Sequence, residues 1–138
     1  MIISLAGYMG SGKSHIAKIL SRKLNVKRID LDEEIIFQQG KPIAELFAKH
    51  GEIGFRKIER EILCQLLQSE KNVLLSLGGG TPVYYDNIEM INRYSESFYL
   101  RASVPTLTKR LAPQKAHRPL IAHIADENLP EFILKHLF

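Results

Sequence analysis

Gly7-Tyr8-Met9-Gly10-Ser11-Gly12-Lys13-Ser14 is the stretch that decides how this chain is read. It matches G-x-x-x-x-G-K-[ST] in full, the sequence form of a phosphate-binding loop. Glycines let a backbone wrap tightly, so that successive amide hydrogens point into a cavity of phosphate size. A helix beginning at the end of the loop adds unpaired donors and a dipole favourable to anions. Lys13 is spaced to reach the β- and γ-phosphates of a nucleoside triphosphate, and the Ser14 hydroxyl to ligate Mg²⁺. Gly10, Ser11, Gly12, Lys13, Ser14 and His15 are therefore the expected nucleotide-binding run. A glycine-rich turn with an incidental lysine is the bland alternative, and the flanking sequence argues against it. The loop leaves the acceptor open: water, a protein, a nucleotide or a metabolite all fit.

The flanks supply the context the loop needs. MIISLA, residues 1–6, is an apolar run that stops at Gly7, as a buried parallel strand does. KSHIAKILSRKL, residues 13–24, places Ile16, Ile19, Leu20 and Leu24 on one helical stripe. Val26–Asp30 reads as a second strand ending in the acidic pair Asp30 and Asp32. A short helix is expected over Glu33–Gln38, ended by Gly40, and another from Pro42 to about His50. Gly51–Ser69 reads as the longest helix, Val73–Leu77 as a core strand running into Gly78-Gly79-Gly80, and residues 84–93 as helical. Ser97–Leu100 follows as a strand and Val104–Leu111 as a helix. The polar, basic segment 112–119 is expected to be a mobile loop. A last helical region covers parts of 119–137, broken near Pro130. Strands alternating with helices at this spacing argue for an α/β domain with a parallel sheet.

Composition excludes several classes. At 138 residues, 45% of them apolar and 25% charged, the chain is ordinary globular material of one-domain size. No run reaches the length of a membrane span, and the opening residues lack a secretory leader, so a cytoplasmic protein without a membrane partner is expected. The single cysteine, Cys64, permits no internal disulfide and reads as packing within an apolar helix. A net charge of +4 would draw nucleotide phosphates, an acidic metabolite or a nucleic acid alike. The scattered placement of Lys13, Arg56, Arg110 and Arg118, without an RNA-reading motif, suits one anionic pocket better than a nucleic-acid track.

Together the loop 7–14, Asp30-x-Asp32, GEIGFRKIE at 51–59, the glycines 78–80, Arg110 and HRPL at 117–120 resemble the shikimate kinase family across nearly the whole chain. The resemblance implies a P-loop NTPase fold, three-layer α/β/α around a central parallel sheet. It implies phosphorylation of the 3-hydroxyl of shikimate by ATP with Mg²⁺, in aromatic amino-acid biosynthesis, by a monomer. By the same resemblance Asp30, with Ser14, helps hold the metal, and Asp32 binds the acceptor and orients or deprotonates its hydroxyl. Arg56 and Gly78, Gly79 and Gly80 bind the acceptor. Arg118 touches the transferring phosphates, and Arg110 lies near the adenine. Lys13, Asp32 and Arg118 form the expected catalytic set. The segment 112–119 is expected to act as a lid of a single domain spanning 1–138.

The residues themselves leave alternatives open. Asp30 or Asp32 equally suits a helix N-cap, and capping and catalysis can coexist. In isolation Arg56 reads as a surface arginine paired with Glu52 or Glu59, four before and three after it; the GE-x-x-FR-x-x-E context favours a carboxylate grip. Glu59 and Glu61 read as structural or solvent-facing acids, and His117 as no ligand. A kinase for another small hydroxylated acid, or a nucleotide-binding fragment without turnover, stays as the alternative function. The family pattern continues past Phe138 with another acceptor-binding arginine, a last strand and a closing helix. The expectation is thus a C-terminally truncated chain whose phosphate-handling half is complete and whose grip on shikimate is poor.

Overall fold

The computed structural model describes residues 1–118 and 120–136. Pro119 of the HRPL motif, and Leu137 and Phe138 at the end, lie outside the described residues. The elements run β1 (Ile2–Gly7), α1 (Lys13–Leu24), β2 (Lys27–Asp30), α2 (Leu31–Gln39), α3 (Ile43–Ser69), β3 (Val73–Ser76), α4 (Asn87–Tyr94), β4 (Glu96–Leu100), α5 (Val104–Leu111) and α6 (Leu129–His136). Short 3-10 turns cover Thr81–Val83, Ala112–His117 and Asp126–Asn128. The sheet is parallel throughout, in the order β2-β3-β1-β4.

Alternation along the strands makes the layers. Ile2 and Ala6 of β1, with Val73 and Leu75 of β3, pack against Phe55, Ile62, Leu63 and Leu66 of α3 and Ile91 of α4. Leu5 and Leu74 point the other way and meet Ala17, Ile16 and Leu20 of α1. Both faces of the central strands are thus covered, which is why they read as continuous apolar runs rather than alternating ones. A third cluster, built on Tyr8, Leu107, Leu111, Ile121, Leu129 and Ile133, joins α5 and α6 to the phosphate loop. Each fully buried leucine in these clusters contributes about 2 kcal/mol of transfer free energy.

Several boundaries shift for local reasons. Asp30 caps α2, its Oδ1 accepting from the Glu33 amide at 3.1 Å. The helix therefore begins at Leu31, and Asp32 stands in its first turn rather than beyond a strand end. Three acids in that turn, Asp32, Glu33 and Glu34, complement the helix dipole. The two helices expected to meet at His50 and Gly51 do meet there: within Ile43–Ser69, Gly51 takes φ 70° and ψ 177°, outside the helical range, and joins two helices across a kink. Within the segment expected to be a loop, Ala112–His117 winds as a 3-10 helix. Pro130 does not break α6 but stands at its second position, where its missing N–H has no helical partner to lose. Cys64 is partly buried on α3 and free. Among the described residues no helix is long and apolar enough to cross a membrane.

Candidate active site

The phosphate loop links β1 to α1 at the C-terminal end of the sheet, where parallel folds place ligands. Gly12 closes it as the N-cap of α1 with φ 98°, a left-handed conformation that favours glycine. No side chain caps this helix, which leaves its first amide hydrogens available to an anion. Lys13 donates from Nζ to the carbonyls of Gly7 at 2.6 Å and Tyr8 at 3.1 Å. Burial pulls its ammonium down to about 8, opposed by the nearby Asp32 and Asp30 and assisted by Arg118. Arg110 reaches from α5 to the loop, Nη1 donating to the Gly10 carbonyl at 2.9 Å. Ser14 and His15 are exposed on the first turn of α1.

Beside the loop opens a cavity of about 490 Å³. Asp32, Arg56, Gly78, Gly79, Gly80 and Arg118, from separated parts of the sequence, all line it. Its remaining walls include Phe47 and Phe55 of α3, Tyr84, and, from the α5–α6 side, His117, Leu120, His123 and Phe132. Burial, then the carboxylates of Asp30 and Glu59, push the Asp32 carboxyl up to about 6, against the opposing pull of Lys13 and Arg56. Arg118 donates from Nη2 to Gln114 at 3.1 Å, and its buried Nε has no partner among the described residues. Burial lowers its guanidinium from the ordinary range, with Asp32 opposing.

Arg56 is the most confined of these groups, only 4% exposed. Its Nη1 donates to both carboxylate oxygens of Glu59, at 3.0 and 3.2 Å. Glu59, 1% exposed, also accepts from the Thr81 hydroxyl at 2.9 Å, and Asn87 Nδ2 donates to the Thr81 carbonyl at 2.8 Å. The arginine is thus paired with Glu59 as its spacing allowed, yet it is no surface arginine. Its buried Nε has no partner. A buried guanidinium with unspent donors beside a cavity suits a carboxylate arriving from outside. Gly80 makes that packing possible, because a Cβ there would lie 2.6 Å from Arg56 Nη2.

Two features of the site were not legible in advance. Glu59, read as structural or solvent-facing, is the arginine's buried counter-ion; its i, i+3 spacing from Arg56 was the signal, and burial supplied the rest. Tyr84, His123 and Phe132 carried no signal, since only the tertiary fold brings them to the cavity. Asp30 does cap a helix, so the capping alternative holds for it, while Asp32 is the carboxylate that enters the cavity.

A P-loop at the end of a parallel sheet, abutting a cavity lined by a buried carboxyl and a buried guanidinium, is the arrangement of a P-loop phosphotransferase. The profile of the Shikimate kinase family matches residues 9–136. A shikimate kinase of Flavobacterium johnsoniae is 48% identical over 137 residues, covering 99% of this chain and 80% of its own length. A crystal structure of shikimate kinase from Bacteroides thetaiotaomicron superposes with a TM-score of 0.90 at 41% identity, covering 98% of this chain and 76% of that one. Shikimate kinase from Acinetobacter baumannii, solved in complex with shikimate, superposes with a TM-score of 0.89 at 32% identity, covering 98% and 74%. The chain belongs to the shikimate kinase family. The chain spans about four-fifths of the first relative's length.

Proposed function

We propose that this chain transfers the γ-phosphoryl group of ATP to the 3-hydroxyl of shikimate, giving shikimate 3-phosphate and ADP. The observation that carries the acceptor assignment is the convergence of Asp32, Arg56 and the glycines 78–80 on one cavity beside the loop. The loop amides and Lys13 hold the triphosphate, Lys13 exchanging the carbonyls of Gly7 and Tyr8 for phosphate oxygens. Arg56 grips the carboxylate of the acceptor and so turns the reacting hydroxyl toward Asp32. The hydroxyl oxygen forms a bond to the γ-phosphorus as the bond to the β–γ bridging oxygen breaks. Its proton passes to Asp32, and Arg118 with Lys13 offsets charge on the group in flight.

Magnesium fits this donor set in a limited way. Among the described residues no group of three or more His, Cys, Asp or Glu is placed to hold a metal, so the ion would come with the nucleotide. The Ser14 hydroxyl and Asp30 are the groups that would meet it, Asp30 through water. Bound there, it supplies charge neutralisation between the β- and γ-phosphates. The chain is read as one kinase domain, residues 1–138, working as a cytoplasmic monomer, with 112–119 as its lid.

A coupled ADP-release assay with shikimate, gluconate and nucleosides as acceptors tests the reading. Turnover with shikimate well above the others is expected. Faster turnover of gluconate or a nucleoside would reassign the acceptor, and nucleotide binding without turnover of any acceptor would reduce the chain to a binding module.

A further inference from the structure

Tyr84 stands just beyond the 3-10 turn Thr81–Val83, and no motif singles it out. Its ring lies against the guanidinium of Arg56, 4.2 Å from Cζ to the ring centroid, closer than the Phe55 ring at 5.4 Å. Its hydroxyl donates to Oε1 of Glu52, one turn before Arg56 on α3, at 2.5 Å. Glu52, Arg56 and Tyr84 all line the cavity. Glu59 holds Arg56 through Nη1 alone. A planar cation held at one edge can still swing about its terminal torsion, whereas an aromatic face laid against it favours one plane.

We propose that Tyr84 is a positioning residue for the acceptor: its ring, tied down by Glu52, fixes the plane in which Arg56 offers its free N–H groups to the carboxylate. Glu59 sets the edge of the guanidinium and Tyr84 sets its face. The inference rests on the acceptor assignment above, because it needs a carboxylate to be gripped. The tyrosine has two parts here: its ring lies on the face of Arg56, and its hydroxyl is tied to Glu52 while also interacting with Arg56 directly.

The test is steady-state kinetics on the whole chain, with KM for shikimate and for ATP measured separately in Tyr84→Leu and Tyr84→Phe. Tyr84→Leu is expected to raise KM for shikimate about tenfold, the scale of a partly desolvated cation–π contact, while KM for ATP stays put. Tyr84→Phe keeps the face and should hold KM for shikimate within about threefold. An equal rise in both KM values, or a phenylalanine variant as impaired as the leucine one, would show a merely structural role and overturn the proposal. Should the leucine variant not fold, Tyr84→Met gives the same comparison without an aromatic face. Wild-type turnover of shikimate with a KM unmoved by Tyr84→Leu overturns this proposal alone. Absence of shikimate turnover by the wild type overturns the acceptor assignment and this inference with it.

Discussion

On the nucleotide side of the site the binding groups are mostly backbone amides, drawn from eight contiguous residues, Gly7–Ser14, between one strand and one helix. On the proposed acceptor side they are chiefly side chains, from α2 and α3, joined by the backbone of the glycines 78–80 after β3. The loop needs glycine geometry and a lysine, and is held from outside by Arg110 on the Gly10 carbonyl and by Tyr8 in the α5–α6 cluster. The acceptor wall depends on a buried chain of contacts, Asn87 to Thr81 to Glu59 to Arg56, in which each group fixes the next. A backbone site tolerates changes around it, whereas a buried polar network is costly when it is half satisfied. Damage to the two sides should therefore appear in different measurements.

The largest effect is expected at the loop and in rate. Lys13→Met removes the cation that meets the transferring group, and kcat should fall about a thousandfold, as for other groups that stabilise charge only in the transition state. Because Lys13 bonds loop carbonyls and burial penalises its charged form, the unfolding midpoint in urea should not fall and should rise somewhat at neutral pH. A matching loss of stability would break the contrast between the two sides.

Glu59→Leu should do the reverse. It strands the Arg56 cation, whose side chain is 5% exposed, and should cost about 3 kcal/mol in urea unfolding. The double variant Arg56→Met with Glu59→Leu should recover most of that stability while still failing to bind shikimate, because well-packed apolar pairs replace buried ion pairs at little cost. If the double variant is no more stable than the single one, the wall is not organised around this pair.

The pH dependence of stability separates the sides again. Asp32 has a folded pKa of about 6 against 3.8 unfolded, so between those values the native state holds its proton longer. Stability should fall as pH rises from about 4 to 6, by on the order of 2 kcal/mol, and Asp32→Asn should remove that slope. Lys13 has the opposite sign. Its folded value of about 8 lies below 10.5, so the unfolded chain binds more protons in that window and stability should rise as pH climbs through it. Lys13→Met should flatten that limb and leave the acid one unchanged.

The same contrast governs what could be read beforehand. The strand–loop–helix at residues 1–24 was legible because sequence neighbours are also spatial neighbours there, and α1 runs over Lys13–Leu24 as its apolar stripe indicated. Asp32 was placed in the site on a strand-end argument, yet it reaches the cavity from the first turn of α2, because the Asp30 cap starts that helix early. Glu59 was left open between a structural and a solvent-facing acid, since spacing alone cannot tell an exposed i, i+3 pair from a buried one; the structural reading holds. Tyr84 and His123 could not be named, because their approach to Arg56 and the cavity exists only once the sheet has ordered the chain.

Gly80→Ala sharpens the comparison with the smallest change. The added methyl would stand 2.6 Å from Nη2 and 3.1 Å from Cζ of Arg56, closer than real carbon contacts come, so one partner has to give. The backbone of the triplet follows a core strand and is poorly free to move, while Arg56 is a side chain with an open cavity on one side. The guanidinium should therefore shift outward, and KM for shikimate should rise about tenfold, the loss of one well-aligned charge-assisted hydrogen bond. KM for ATP should hold, since the three atoms nearest the added methyl all belong to Arg56 and none to the phosphate loop. An effect on ATP as large as that on shikimate would mean that the triplet and the phosphate loop move as one unit, and the division into a backbone half and a side-chain half would fail at that point.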